Sequence, residues 1–338
     1  MPEVRKRLKQ YLAANKLPDS VEQLTPDAST REYFRIKYQG GTAIACVYPE
    51  QFKADEQSFL DVTRLFCDNG LPVARVLDFS EELGVIVQED LGNTVLRDVL
   101  ESSNSFEREE LIERAIGMVA KIQKATDSAF ATNSIASKLK FDTEKLLWEL
   151  DFFREHYFET LRHQPLPQHE NDALRSEFVD LSRDLESRAA VLCHRDFHAA
   201  NLMIDQNGEL RIIDHQDARI GSVSYDLVSL LLDRVTSPPH AYWLAAKRRS
   251  FLSEREKNGL TPISENEFAE EFRLQTIQRC LKAVGTFSFQ SVNRGKSYFI
   301  PFIQPMFGIV WRAAENLDRF PVLNEVIKRE LETDHTRK

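Results

Sequence analysis

The segment CHRDFHAANLMID, followed after the turn Gln206-Asn207-Gly208 by LRIIDHQD, constrains the fold of this chain more than any other stretch. LMID and LRIID are apolar runs too short for helices, and an Asn-Gly turn between them predicts a β-hairpin. In such a pair Asn201 stands at the mouth of one strand and Asp214 at the end of the other, so the antiparallel geometry carries both to the same end. Asp196 lies five residues before Asn201. That order of Asp, Asn and Asp around a hairpin is the one phosphoryl transfer from a nucleotide uses. The first Asp receives the proton of the acceptor hydroxyl, while the Asn and the second Asp hold magnesium against the phosphates. Each residue alone is an ordinary turn or cap former, and it is the joint spacing that carries the reading.

Around this motif the chain changes character once. Residues 1 to about 17 form an amphipathic helical pattern through Val4, Leu8, Tyr11 and Leu12. QLTPDAST, YFRIKYQ and TAIACVY then read as strands, the last two joined by a hairpin turn at Gly40-Gly41. ADEQSFLDVTRLFCDNG reads as a helix stopped at Gly70, and VARVLDFSEELGVIVQED supplies two more strands. Beyond Asp90-Leu91-Gly92 helical patterns dominate, at about 107–126, 142–162, 171–187, 224–235, 240–257, 265–290 and 301–316. The expected fold class is therefore α+β and bilobal, kinase-like. A small antiparallel-sheet lobe with one main helix spans residues 1–91, and a large, mostly helical lobe with the catalytic loop and substrate site spans 92–338.

The chain's 338 residues and 42% hydrophobic content suffice for two such cores. Its net charge of -9 opposes a nucleic-acid partner, since phosphate neutralisation needs a basic face. No apolar run approaches the roughly 20 residues of a membrane span and the N-terminus lacks an apolar signal core, so a cytoplasmic, membrane-free monomer is expected. Cys46, Cys67, Cys193 and Cys280 form no CxxC pair, which argues for reduced thiols rather than a disulfide framework or zinc site. His198 and His215 lie near the motif, but its oxygen-rich ligand set suits magnesium and not zinc.

DASTREYFR, VQEDLG, FDTEKLLWELDFFREHYF, CHRDFHAANLMI, IIDHQDARIGSVSYDLVSLLLD and QRCLKAVGTFSF together resemble the aminoglycoside phosphotransferase and choline kinase-like family. Within it the chain is similar to the bacterial anomeric kinases of cell-wall amino sugars, which phosphorylate N-acetylmuramate and N-acetylglucosamine at the C1 hydroxyl. The resemblance implies that Asp196 is the catalytic Asp and that Asn201 and Asp214 hold Mg2+. It also implies that His194 and Asp226 brace the loop, and that the donor is ATP, with GTP left open. In the first lobe Ser29, Thr30 and Arg31 occupy the place of the phosphate-covering loop, without a glycine-rich motif. Gln88, Glu89 and Leu91 form the expected hinge for the adenine edge.

The departure from the general kinase pattern is TAIACVY, which has no lysine for the phosphates. Arg31, Arg35, Lys37 or Lys53 is expected to replace its charge, with Glu56 as a remnant partner. The small interval between Asp214 and Asp226 leaves little room for a peptide-binding activation segment, so a protein kinase is disfavoured. A nucleotide-binding pseudokinase and an aminoglycoside- or choline-type phosphotransferase remain as alternatives. Substrate choice falls to the 142–162 region. There Glu149, Asp151, Arg154, His156 and Tyr157 are read mainly as a solvated face, and Trp148, Phe152 and Trp311 as core or as sugar-stacking rings. An acidic pocket would suit a cationic acceptor, and Arg154 or Arg219 a carboxylate.

Overall fold

The computed structural model describes residues 2–24 and 31–333. Its helices in chain order are α1 (Pro2–Ala14), α2 (Ser58–Asp68), α3 (Leu96–Ser102), α4 (Ser105–Lys124), α5 (Thr126–Ala131), α6 (Ile135–Lys138) and α7 (Thr143–Phe153). They continue with α8 (Gln168–Ser187), α9 (Tyr225–Leu232), α10 (Ala241–Lys257), α11 (Glu265–Asn293), α12 (Ile303–Glu315) and α13 (Pro321–Glu332). The strands are β1 (Val21–Leu24), β2 (Glu32–Tyr38), β3 (Gly41–Val47), β4 (Val76–Ser80) and β5 (Val85–Glu89). Four shorter ones follow: β6 (Val191–Cys193), β7 (Leu202–Ile204), β8 (Leu210–Ile212) and β9 (Arg219–Gly221).

The chain divides into two compact units. Unit 1 comprises Met1–Asn104, Ser128–Ala136 and Ala199–Asp217, and unit 2 comprises Ser105–Asp127, Ser137–His198 and Ala218–Lys338. This division differs from a single cut after residue 91, and backbone bonding explains how. Ile212 N–H donates to the Pro72 carbonyl at 2.8 Å and Ile204 N–H to that of Thr94 at 2.9 Å, so the β7–β8 hairpin belongs to unit 1.

Unit 1 is built on a five-stranded antiparallel sheet in the order β1-β2-β3-β5-β4. Strand alternation assigns its two faces. Phe34, Ile36, Ala43, Ala45, Val47, Val85 and Val87 pack with Leu8, Tyr11 and Leu12 of α1. Ile86 faces the other way, toward Phe59 and Leu60 of α2. Each large apolar side chain buried this way contributes about 1.5–3 kcal/mol. The β2–β3 turn sits one residue earlier than the sequence suggests. Tyr38 pairs with Gly41, and the two turn residues are Gln39 and Gly40, both at positive φ. A two-residue hairpin loop needs that conformation to match the strand twist.

Unit 2 is mostly helical, with α11 packed against α7, α8, α9, α10 and α12. Gly285 makes the α7–α11 approach possible, because a Cβ there would stand 2.8 Å from the Phe153 Cα and 3.0 Å from its nitrogen. The expected 142–162 helix is α-helical only to Phe153 and continues as a π-helix over Arg154–Leu161. The β6–β9 ribbon, which flanks the hairpin in sequence, was not anticipated.

Candidate active site

In unit 1 the hairpin holds Asn201 and Asp214 in register. Leu202 pairs with Ile212, and Ile213 N–H donates to the Asn201 carbonyl at 3.1 Å, so the two candidate ligands flank the open end of one short ladder. The turn at the other end closes through Gly208 at φ +76°. Asp214 is left-handed at φ +61°, a conformation that aspartate tolerates better than most residues. Gln216 donates to its Oδ1 at 3.0 Å, and Arg31 Nη2 lies 3.7 Å from the same oxygen. The next residue anchors this loop: buried His215 bonds Thr63 Oγ1 through Nε2 at 2.7 Å and packs against the rings of Phe59 and Phe66 on α2.

The candidates for the missing lysine separate clearly. Arg31 faces Asp214 and lies over the rings of Tyr33 and Tyr48. Arg35 directs its guanidinium to Asp90 at 2.7 Å, Asn93 at 2.7 Å and Glu22 at 3.2 Å, so it braces the turn after β5. Lys37 is exposed, and Lys53 pairs with Glu56 at 2.9 Å on the surface. Glu89 pairs with Arg211 at 2.7 Å, tying β5 to β8. Burial pushes the Glu89 carboxyl up, but Arg211 and the Arg75 amide bring it below the usual carboxylate value. Gln88 is half-buried, and Leu91, three positions later, is buried. Ser29 and Thr30 lie outside the described residues.

In unit 2 the loop that carries Asp196 leaves β6 at Cys193. The Asp226 carboxylate, buried at the start of α9, accepts the His194 N–H at 2.6 Å and the Arg195 N–H at 3.1 Å. These two bonds fix a turn in which Arg195 stands at φ +88°, a costly conformation that must be held from outside. Burial raises the Asp226 carboxyl against the pull of His194 and the two amides. Asp196 follows, its side chain 29% exposed. Its Oδ1 accepts from Arg279 Nη2 at 2.8 Å and from Lys282 Nζ at 3.5 Å, and Arg195 Nε is 3.6 Å from Oδ2. Burial would raise its carboxyl, but Lys282, Arg279, Arg195 and His198 hold it well below the usual range. Asp196 is thus an ionised hydrogen-bond acceptor of low basicity.

Arg279 and Lys282 were not singled out by the sequence. They belong to a polar stripe on α11, with Glu271, Gln275 and Gln278, in a helix otherwise buried through Leu274, Ile277, Cys280, Leu281 and Val284. Polar residues on an apolar helix signal internal partners, and each has one here. Glu271 accepts from Ser224 N–H at 2.8 Å, Ser222 donates to Gln275 at 2.8 Å, and Gln278 donates to Glu149 at 2.8 Å. Glu149 is only 1% exposed, which corrects its reading as part of a solvated face. Arg154 bonds Asp151 and Asn171 and so serves local structure. Trp148 is 55% exposed, and beside it Phe152, His156 and Phe289 form an aromatic cluster.

Because this stripe works only while α7 and α11 stay close, Gly285→Ala is expected to cost about 1–3 kcal/mol by overpacking against the Phe153 backbone. Thermal denaturation checks it. An unchanged melting temperature would show that the two helices yield freely.

A mixed fold with an antiparallel-sheet unit and a mostly helical unit, carrying Asp196, Asn201 and Asp214 in that order around a hairpin, is the kind found in kinase-like phosphotransferases. The chain belongs to the phosphotransferase enzyme family APH, whose model matches residues 20–261. Among characterised relatives it is 29% identical to the N-acetylmuramate/N-acetylglucosamine kinase of Neisseria meningitidis serogroup B over 316 residues, covering 92% of each chain. The enzyme of that name from Pseudomonas aeruginosa is 28% identical, over 92% of this chain and 88% of its own. Among solved structures, the choline kinase LicA from Streptococcus pneumoniae shares the fold with a TM-score of 0.56 at 17% identity, over 90% of this chain and 98% of that one. No described helix is long and apolar enough to cross a membrane.

Proposed function

We propose that this protein is an ATP-dependent sugar kinase that phosphorylates the anomeric hydroxyl of N-acetylmuramate or N-acetylglucosamine. The observation that carries the reading is the pair of cations on Asp196. A carboxylate so weakened is a poor base for an ordinary alcohol but suits an anomeric hydroxyl, which is more acidic. The same cations oppose choline or an aminoglycoside, because a positively charged acceptor would approach Arg279 and Lys282. The names of the two bacterial relatives support the same acceptors.

In this reading Asp196 orients the anomeric hydroxyl and receives its proton as the oxygen bonds to the γ-phosphorus and ADP departs. Asn201 and Asp214 would hold magnesium, and the donor chemistry fits. Among the described residues no three His, Cys, Asp or Glu side chains gather into an ion site, and magnesium needs only one or two carboxylates beside phosphate oxygens. When bound, the ion neutralises phosphate charge. Arg31 supplies the cation that β3 lacks, and Asp226 keeps the loop rigid by holding two of its amides. Ser29 and Thr30 are proposed to cover the phosphates, and the hinge of Gln88, Glu89 and Leu91 to take the adenine through its backbone.

Phosphorus NMR of the product tests the position. The expected product is a sugar 1-phosphate, and the methyl glycoside, which has no anomeric hydroxyl, should be inert. A 6-phosphate, or turnover of the methyl glycoside, would overturn the anomeric claim.

A further inference from the structure

The contacts of Lys282 leave it underused. Among the described residues its ammonium lies 3.5 Å from Asp196 Oδ1 and 3.7 Å from Glu149 Oε1, so three N–H donors are served by two long contacts. Glu149 Oε1 is buried and accepts no hydrogen bond, although Gln278 donates to its other oxygen. A nearly inaccessible carboxylate therefore acts as a fixed counter-charge, held on α7, for a lysine on α11 whose side chain is 14% exposed and whose ammonium lies beside Asp196. Arg279 differs. Its Nη2, the nitrogen that meets Asp196 at 2.8 Å, also bonds Ser229 at 2.8 Å, and its guanidinium lies over the Tyr225 ring, so the nitrogen nearest the Asp196 carboxylate is engaged twice by protein.

We propose that Lys282 is a second catalytic residue of the acceptor site. Its ammonium donates to the acceptor oxygen that Asp196 deprotonates and to the phosphoryl group arriving there, while Glu149 acts as the positioning residue that aims it. This rests on the sugar-kinase reading above. As the acceptor O–H bond breaks, its proton passes to Asp196. The new O–P bond forms and the bond to ADP breaks, while Lys282 keeps its own protons and offsets charge building on the oxygens. A preorganised donor of this kind acts mainly on the transition state, so its loss lowers kcat more than it alters KM.

The charged groups acting on Lys282 are Asp196 and Arg195 from the Asp196 loop, Glu149 from α7 and Arg279 on its own helix. Burial, with Arg279 beside it, lowers its ammonium from the ordinary lysine value, and Asp196 and Glu149 only partly restore it. Because the protonated form is the active one, activity should fall as pH rises through this lowered value. Arginine does not deprotonate in that range.

The test uses the full chain and whichever amino sugar the wild type phosphorylates, with ATP and magnesium. Lys282→Met should reduce kcat about 100-fold or more with a small change in KM for ATP. Lys282→Arg should recover part of the rate and lose the alkaline fall. Since Lys282→Met removes the ion-pair partner of buried Glu149, the double variant Glu149→Gln/Lys282→Met is the control for folding. It should melt near the wild-type temperature and remain as slow as Lys282→Met. A double variant within about threefold of wild-type kcat, or an alkaline limb retained in Lys282→Arg, would overturn the proposal. Failure of the wild type to phosphorylate either amino sugar would instead overturn the sugar reading, and the same variants are then compared on the acceptor it does use.

Discussion

Asp196→Asn is expected to lose at least ~100-fold in kcat while binding nucleotide almost as the wild type does. The amide keeps the size of the carboxylate and can still accept from Arg279, so the loop should hold its shape. What disappears is the charge proposed to orient the acceptor hydroxyl and take its proton. The carboxylate's ion-pair contacts to Arg279, Lys282 and Arg195 all lie within unit 2. ADP release gives kcat, and calorimetric titration of the nucleotide gives affinity. A near-normal kcat would remove Asp196 from the mechanism. Loss of nucleotide affinity equal to the loss of rate would mean that it had been placed on the wrong side of the reaction.

The acid side of the pH profile follows from the same contacts. Because the neighbouring cations hold the Asp196 carboxyl well below the usual range, its deprotonated, active form persists as pH falls through the ordinary carboxylate region. Its contribution to folding has the same sign: present at neutral pH and lost only as pH drops through the lowered value.

The hairpin and its flanking residues were legible because short-range chemistry fixes them. An Asn-Gly turn between two apolar runs has few alternatives, and once it forms, Asn201 and Asp214 must share an end. The long helices were legible from periodicity for the same local reason. The β6–β9 ribbon was not, since each strand has three residues and no period can show in so short a run. Helix α13 was readable in principle, with Pro321 at its first turn and Leu323, Val326 and Ile327 on one face.

The site divided along the same line. Arg35 has the charge and the position for a phosphate contact, but Asp90 lies 55 residues away in sequence and nothing local reveals that the two meet. Arg279 and Lys282 looked like ordinary helix charges until their partners on α7 and the catalytic loop were seen, although the apolar residues around them were a usable warning. The absent β3 lysine was plain in the sequence. The cation proposed to replace it, Arg31, was not singled out there, because its approach to Asp214 rests on the left-handed turn that presents that carboxylate.

That turn also sets the second large effect. Asp214→Asn is expected to weaken magnesium-nucleotide binding at least ~10-fold and to reduce turnover further, because it removes a charged ligand where a divalent ion would sit. Asn is the informative replacement. It tolerates φ +61° and can keep the bond from Gln216, whereas Ala would add backbone strain to the loss of charge. Asn201→Ala, which removes only a neutral oxygen ligand, should weaken the complex less. Arg31 enters the same balance: with its carboxylate neutralised it is freer to engage phosphate directly, so nucleotide binding without magnesium should persist in the Asp214 variant while the gain from adding magnesium shrinks. Calorimetric titration with and without the ion separates these effects. An unchanged magnesium-dependent gain in affinity would remove Asp214 from the metal site and leave its role as the anchor of Arg31.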